Sequence, residues 1–121
     1  MMPYERFLAW QHCHKLVLAV YQTTPKWPDE RFALAQQARR AAYSAGLNIA
    51  EGSAKRGSKE FRRYLDIANG SLSELSYILR IARDLKYLTG SEWESLEKLR
   101  ANAGKLTWKL YDSLKRDANT S

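Results

Sequence analysis

The sequence predicts an all-α fold, a single four-helix bundle. Three observations lead there. Apolar residues recur at steps of three and four through four separate segments, short polar or proline-bearing breaks divide those segments, and no alternating run bounded by hairpin turns argues for a strand. The 121 residues suit one domain, spanning 1–121, with no linker, internal repeat or second unit. Short links favour antiparallel neighbours, which gives an up-down-up-down arrangement.

The first helix is expected over about 7–24, because Trp10, Cys13, Val17, Val20 and Thr24 share a stripe widened by Leu16 and Pro25 stops it. In Trp27-Pro28-Asp29-Glu30 the proline suits a first helical turn and the acids complement the positive helix end, so the second helix is placed at about 28–53. Its seam of Leu34, Ala38, Ala41, Ala45, Asn48 and Gly52 is small enough to let a neighbouring backbone come close, and Gly46-Leu47 invites a local bend. Ser58 is placed to cap a third helix over about 59–88, with Glu60 in its first turn. That helix has two apolar faces, one through Phe61, Leu65, Ala68, Leu72, Leu75, Leu79 and Ala82, the other through Ile67, Ser71, Glu74, Ile78, Ile81 and Leu85. Thr89-Gly90 ends it. Ser91 and Glu94 form a capping-box pattern opening a fourth helix over about 91–116, whose buried stripe is Leu96, Leu99, Ala103, Leu106, Leu110 and Leu114.

Composition narrows the function classes. The longest strictly apolar run, Leu16 to Tyr21, is far short of the roughly 18–20 residues that span a bilayer. The N-terminus has no apolar signal core and the single Cys13 has no internal disulfide partner, so a reducing cytoplasm is expected. Twenty Lys and Arg against thirteen Asp and Glu give a formal charge of +7, which biases encounters toward polyanions. The charge is clustered: Lys55, Arg56, Lys59, Arg62 and Arg63 form one patch, and Lys105 and Lys109 belong to a second along the fourth helix.

The polar residues within apolar stripes carry a structural expectation. Asn48, Glu51, Ser71 and Glu74 fall at core spacing, and a buried carboxylate needs a donor, so Arg39 and Arg40 on the second helix are expected to pair with them in a network fixing helix register. No nucleophile with a positioned base and no glycine-rich phosphate loop accompanies the two acids, so no catalytic site is assigned and no enzyme is expected. His12-Cys13-His14 resembles a metal-ligand string, yet side chains one and two residues apart diverge around a helix; no metal or other cofactor is expected. Trp108 and Tyr111 lie off the fourth-helix stripe and suggest a subunit interface.

A family resemblance runs through these positions. Gln37, Arg39-Arg40-Ala41-Ala42, Asn48-Ile49-Ala50-Glu51-Gly52, Phe61, Leu65, Ile67-Ala68, Gly70-Ser71 and Glu74-Leu75 resemble the pattern of the bacterial four-helix-bundle proteins known as 23S rRNA intervening-sequence proteins. Trp10-Gln11, Leu16-Val17, Val20-Tyr21, Pro28 and Glu30 extend the likeness, and similarity also reaches an accessory protein of diversity-generating retroelements. The resemblance implies an antiparallel four-helix bundle assembling as a homopentameric ring, with no known catalytic activity. One departure is Ala45-Gly46-Leu47, where the family often has Ile-Pro-Ser. The expected function is a non-enzymatic ring-forming protein that binds RNA, DNA or a ribonucleoprotein through its basic patches; the alternative is a scaffolding oligomer with a protein partner and incidental charge.

Overall fold

The computed structural model describes residues 1–120, with side chains through Asp117. A 3-10 turn over Pro3–Arg6 leads into four helices: α1 Leu8–Thr23, α2 Leu34–Ser53, α3 Ser58–Asp84 and α4 Gly90–Thr120. They pack in a closed order, α1 on α2, α2 on α3, α3 on α4 and α4 back on α1, while among the described residues the diagonal pairs make no close backbone contact. Chain direction alternates between neighbours. Ser44 of α2 meets Ser71 of α3 while Gly52, later in α2, lies against Phe61 and Tyr64, earlier in α3. Likewise Leu72 of α3 approaches Gly104 of α4, and Arg62 approaches Tyr111.

The core is built from the stripes that helical spacing marks. Leu16, Val20, Ile49, Leu65, Leu72, Leu75 and Leu79 are fully buried. Facing them, α2 supplies mostly small residues, Ala38, Ala41, Ala42 and Ala45, so the neighbouring helices sit close. Gly52 marks the tightest approach: a Cβ there would lie 2.7 Å from Tyr64 Cβ and 2.8 Å from Phe61 Cδ1. Thr24 and Thr107 are buried hydroxyls that donate to the carbonyls of Val20 and Ala103, each at 2.8 Å, so neither is an orphan.

Helix ends differ from expectation for local reasons. α2 begins at Leu34, not Pro28. Trp27 is buried, and Glu30 Oε1 accepts from the Leu34 amide at 2.9 Å while Oε2 accepts from the Tyr87 hydroxyl at 3.0 Å. The acid thus serves the helix end from four residues back, and its carboxylate raises the Tyr87 pKa. The α3 cap is Gly57 at φ 82°, a left-handed conformation that glycine adopts without cost, and Ser58 is the first residue inside the helix. α3 stops at Asp84, because Lys86 at φ 65° allows its amide to reach the Arg83 carbonyl at 2.9 Å and the Tyr87 amide to reach Ala82 at 2.8 Å, the paired bonds of a Schellman motif. The capping box of α4 sits two residues earlier than Ser91-Glu94: Glu92 Oε1 accepts from the Thr89 amide at 2.9 Å, and Thr89 Oγ1 accepts from the Glu92 amide at 3.2 Å. α2 runs unbroken through Gly46-Leu47.

The expected Arg–Glu network does not form. Glu51 and Glu74 are exposed, and neither carboxylate makes a hydrogen bond or ion pair among the described residues. Ser71 bonds instead to Ser44 at 2.9 Å, and Asn48 Nδ2 donates to the Ser44 carbonyl at 2.8 Å and to its Oγ at 3.2 Å. Arg39 Nε donates to Thr24 Oγ1 at 2.7 Å with its guanidinium over the Tyr21 ring, while Arg40 is exposed. The cause is geometric. In this bundle α2 and α4 flank α3 and cover its Phe61–Ala82 face, so the second stripe lies at the α2 margin, with Ile67 and Leu85 about half exposed at 47% and 52%. A carboxylate there keeps its water and needs no donor.

Candidate nucleic-acid interface

The α2–α3 turn places the first basic patch. Gly57 folds the chain back with open space around it, leaving Lys55 and Arg56 exposed at one end of the bundle, and the opening turns of α3 present Lys59, Arg62 and Arg63 beside them. Lys55 Nζ sits 5.6 Å from the Tyr64 ring centroid. Arg62 is half-buried: its Nε donates to the Ser58 carbonyl at 3.4 Å and its guanidinium lies 5.9 Å from the Tyr111 ring centroid. Lys59, Arg62, Arg63 and Tyr111 line a groove of about 450 Å³ together with two acids, Glu60 and Asp66.

The second set lies on the other flank of α4. Lys105 and Lys109 line a groove of about 320 Å³ with Leu8 and His12 of α1. Tyr111, on the flank that faces α3, stacks with Trp108, ring centroids 5.2 Å apart and planes 7° from parallel. Patches far apart in sequence, Lys59 to Arg63 and Lys105 to Lys109, therefore lie on the two sides of one helix.

Ion pairing separates these cations from the rest. The ion pairs join Lys26 to Glu92, Arg80 and Arg83 to Asp84, Arg100 to Glu97 and Arg116 to Asp112. Lys55, Arg56, Lys59, Arg62, Arg63, Lys105 and Lys109 take part in none of them. Among the described residues no carboxylate is paired with these cations, which leaves their charge for an external anion.

The histidine and cysteine string is dispersed. His14 stacks on Trp10 at 5.0 Å, His12 lines the α1–α4 groove, and Cys13 is buried against Thr107. Burial pushes the Cys13 thiol up to about 12, against the opposing pull of its hydrogen bond with Thr107. Among the described residues no group of three His, Cys, Asp or Glu is arranged to hold a metal, and no helix is long and apolar enough to cross a membrane.

Sequence reading missed the exposed apolar residues of α2. Tyr43 and Leu47 on α2, Ile67 and Tyr77 on α3 and Leu85 just past its end are between 45% and 68% exposed. Where α2 meets α1, Tyr43 and Leu47 line an apolar groove of about 300 Å³ with Tyr4, Trp10 and Val17. Tyr43 and Leu47, four apart and off the alanine seam, were the available signal.

Comparison with known proteins gives two findings. A family model described as 23S rRNA-intervening sequence protein matches residues 5–109. A crystal structure of a protein of unknown function from the S23 ribosomal protein family of Bacteroides thetaiotaomicron VPI-5482 is similar in fold, with a TM-score of 0.80 at 21% identity, covering 86% of this chain and 98% of that one. No curated protein matches.

Proposed function

The chain belongs to the 23S rRNA-intervening sequence protein family, and from that premise we propose that it is a non-enzymatic, ring-forming protein that binds RNA or a ribonucleoprotein through its basic surface in the cytoplasm. The observation that carries this reading is the set of cations without ion-pair partners on both flanks of α4. Phosphates on a nucleic acid release condensed counterions when such cations approach, and binding of this kind needs no base contacts.

Self-assembly is the second half of the proposal, and its pentameric stoichiometry rests on family resemblance. Exposed apolar residues support it: Tyr43 and Leu47 of α2, Ile67 and Tyr77 of α3 and Leu85 beyond it share these helices with exposed Arg40, Glu51 and Glu74, charges of both signs that a second copy of the chain can complement. In a ring the basic patches recur in every subunit, so a polyanion touching several gains effective concentration. The same exposed residues favour the scaffold alternative, in which assembly is the function and the partner is a protein.

The test is binding of the intact protein to RNA and DNA at low salt, beside the variant carrying Arg62→Glu and Arg63→Glu. Binding to many sequences alike, weakened across all of them by charge reversal, supports the proposal. Absence of binding to any single- or double-stranded nucleic acid transfers the function to the scaffold reading.

A further inference from the structure

We propose that Trp108 is a stacking platform for an unpaired base, so that the strand held on the basic surface is single-stranded. The inference rests on the nucleic-acid reading above and names its substrate class. Arg62, Tyr111 and Trp108 form a short stack: the guanidinium covers the Tyr111 ring at 5.9 Å, and Tyr111 lies parallel to Trp108 at 5.2 Å. Tyr111 occupies one face of the indole, yet Trp108 remains 58% exposed, while the other tryptophans are buried or half-buried. A large aromatic side chain stacked on a neighbour and still more than half exposed is pre-ordered for one more planar group, since stacking already restricts its rotamers.

The charge around it identifies that group. Lys105 and Lys109 lie on one flank of α4, and Lys59, Arg62 and Arg63 on the other, none of them in an ion pair. A planar apolar ligand on a polyanionic chain fits both features, and an unpaired nucleotide is that ligand. Base faces are locked between neighbours in a duplex, whereas a single strand offers each base for stacking, and stacking on aromatics is tolerant of sequence. The nearby Glu60, Asp66 and Asp112 limit the net positive charge, so phosphate contacts alone hold the strand less firmly and the stacked base sets the preference for single strands.

The test compares three probes of equal length at low salt: a single-stranded oligoadenylate, its abasic phosphodiester counterpart and an RNA duplex. The native protein is expected to favour the oligoadenylate, with quenching of tryptophan fluorescence. Trp108→Ala should weaken that binding about tenfold, leave the abasic probe unaffected and abolish most of the quenching, and Trp108→Phe should restore much of the affinity. If Trp108→Ala binds all three probes as the native protein does, the charge reading stands and the platform is overturned. If the variant loses oligomer mass in gel filtration, Trp108 is a contact between copies of the chain and the platform is again overturned. If the native protein binds none of the probes, the nucleic-acid reading itself has failed.

Discussion

Ser44 and Ser71 join α2 to α3 through a hydroxyl–hydroxyl hydrogen bond of 2.9 Å, whereas the expected pairing of Glu74 with Arg39 or Arg40 is not made. Asn48 donates to the same serine, so a small polar contact links the two helices without burying a charge. Ser71→Ala should therefore cost about 1 kcal/mol, the usual net worth of such a bond. Glu74→Ala should change stability of the folded chain by less than about 0.5 kcal/mol, because its carboxylate is exposed and unpaired. Urea melts of the two variants check this; a loss of several kcal/mol at Glu74 would restore the buried-pair reading.

Two glycines in α2 should respond oppositely to alanine. At Gly52 a Cβ would press to 2.7 Å on Tyr64 Cβ, so Gly52→Ala is expected to destabilise by about 1–3 kcal/mol. At Gly46 the nearest atom, Cys13 Cβ, would be 3.7 Å away, an ordinary contact. There alanine should stabilise by about 0.5–1 kcal/mol through helix propensity. Thermal melts of both variants decide the matter.

Cys13 makes stability depend on alkaline pH. Its folded pKa, about 12, lies above the unfolded value of 9.0, so the folded state holds the proton more tightly. The contribution is full below pH 9 and is lost as pH rises from there through 12, with a slope approaching about 1.4 kcal/mol per pH unit. At pH 8 a thiol reagent should leave the native protein unmodified and label it only in denaturant; rapid native labelling would mean that the α1–α4 packing is open.

Light scattering coupled to gel filtration should give a multiple of the 14.0 kDa chain mass, five by resemblance. Replacing the exposed Leu47 and Ile67 together by charged residues should shift the protein toward monomer while it stays helical. A monomer mass for the native protein at micromolar concentration removes the ring.

Much of this fold was legible because burial follows helical spacing. The Phe61–Ala82 seam of α3 is buried from Phe61 through Ala82, and the alanine seam of α2 is buried where the chain needed close approach. Ends were harder, since they turn on single contacts: Glu30 is shared between Leu34 and Tyr87, and Lys86 adopts a conformation that glycine usually takes. The polar network was misread because spacing identifies a stripe but not which of two stripes a bundle covers. For the basic surface, sequence identified the cations but not their arrangement, because Lys105 and Arg62 become opposite flanks of α4 only once α3 and α1 pack against it.

Salt dependence of nucleic-acid affinity tests the central claim most directly. With several phosphates neutralised by Lys55, Arg56, Lys59, Arg62, Arg63, Lys105 and Lys109, the intact protein should bind single-stranded RNA clearly near 50 mM salt and lose orders of magnitude in affinity by about 200 mM. A linear fall of log affinity with log salt, made shallower by Arg62→Glu with Arg63→Glu, is the predicted result. No binding at low salt, or an affinity indifferent to salt, would contradict it.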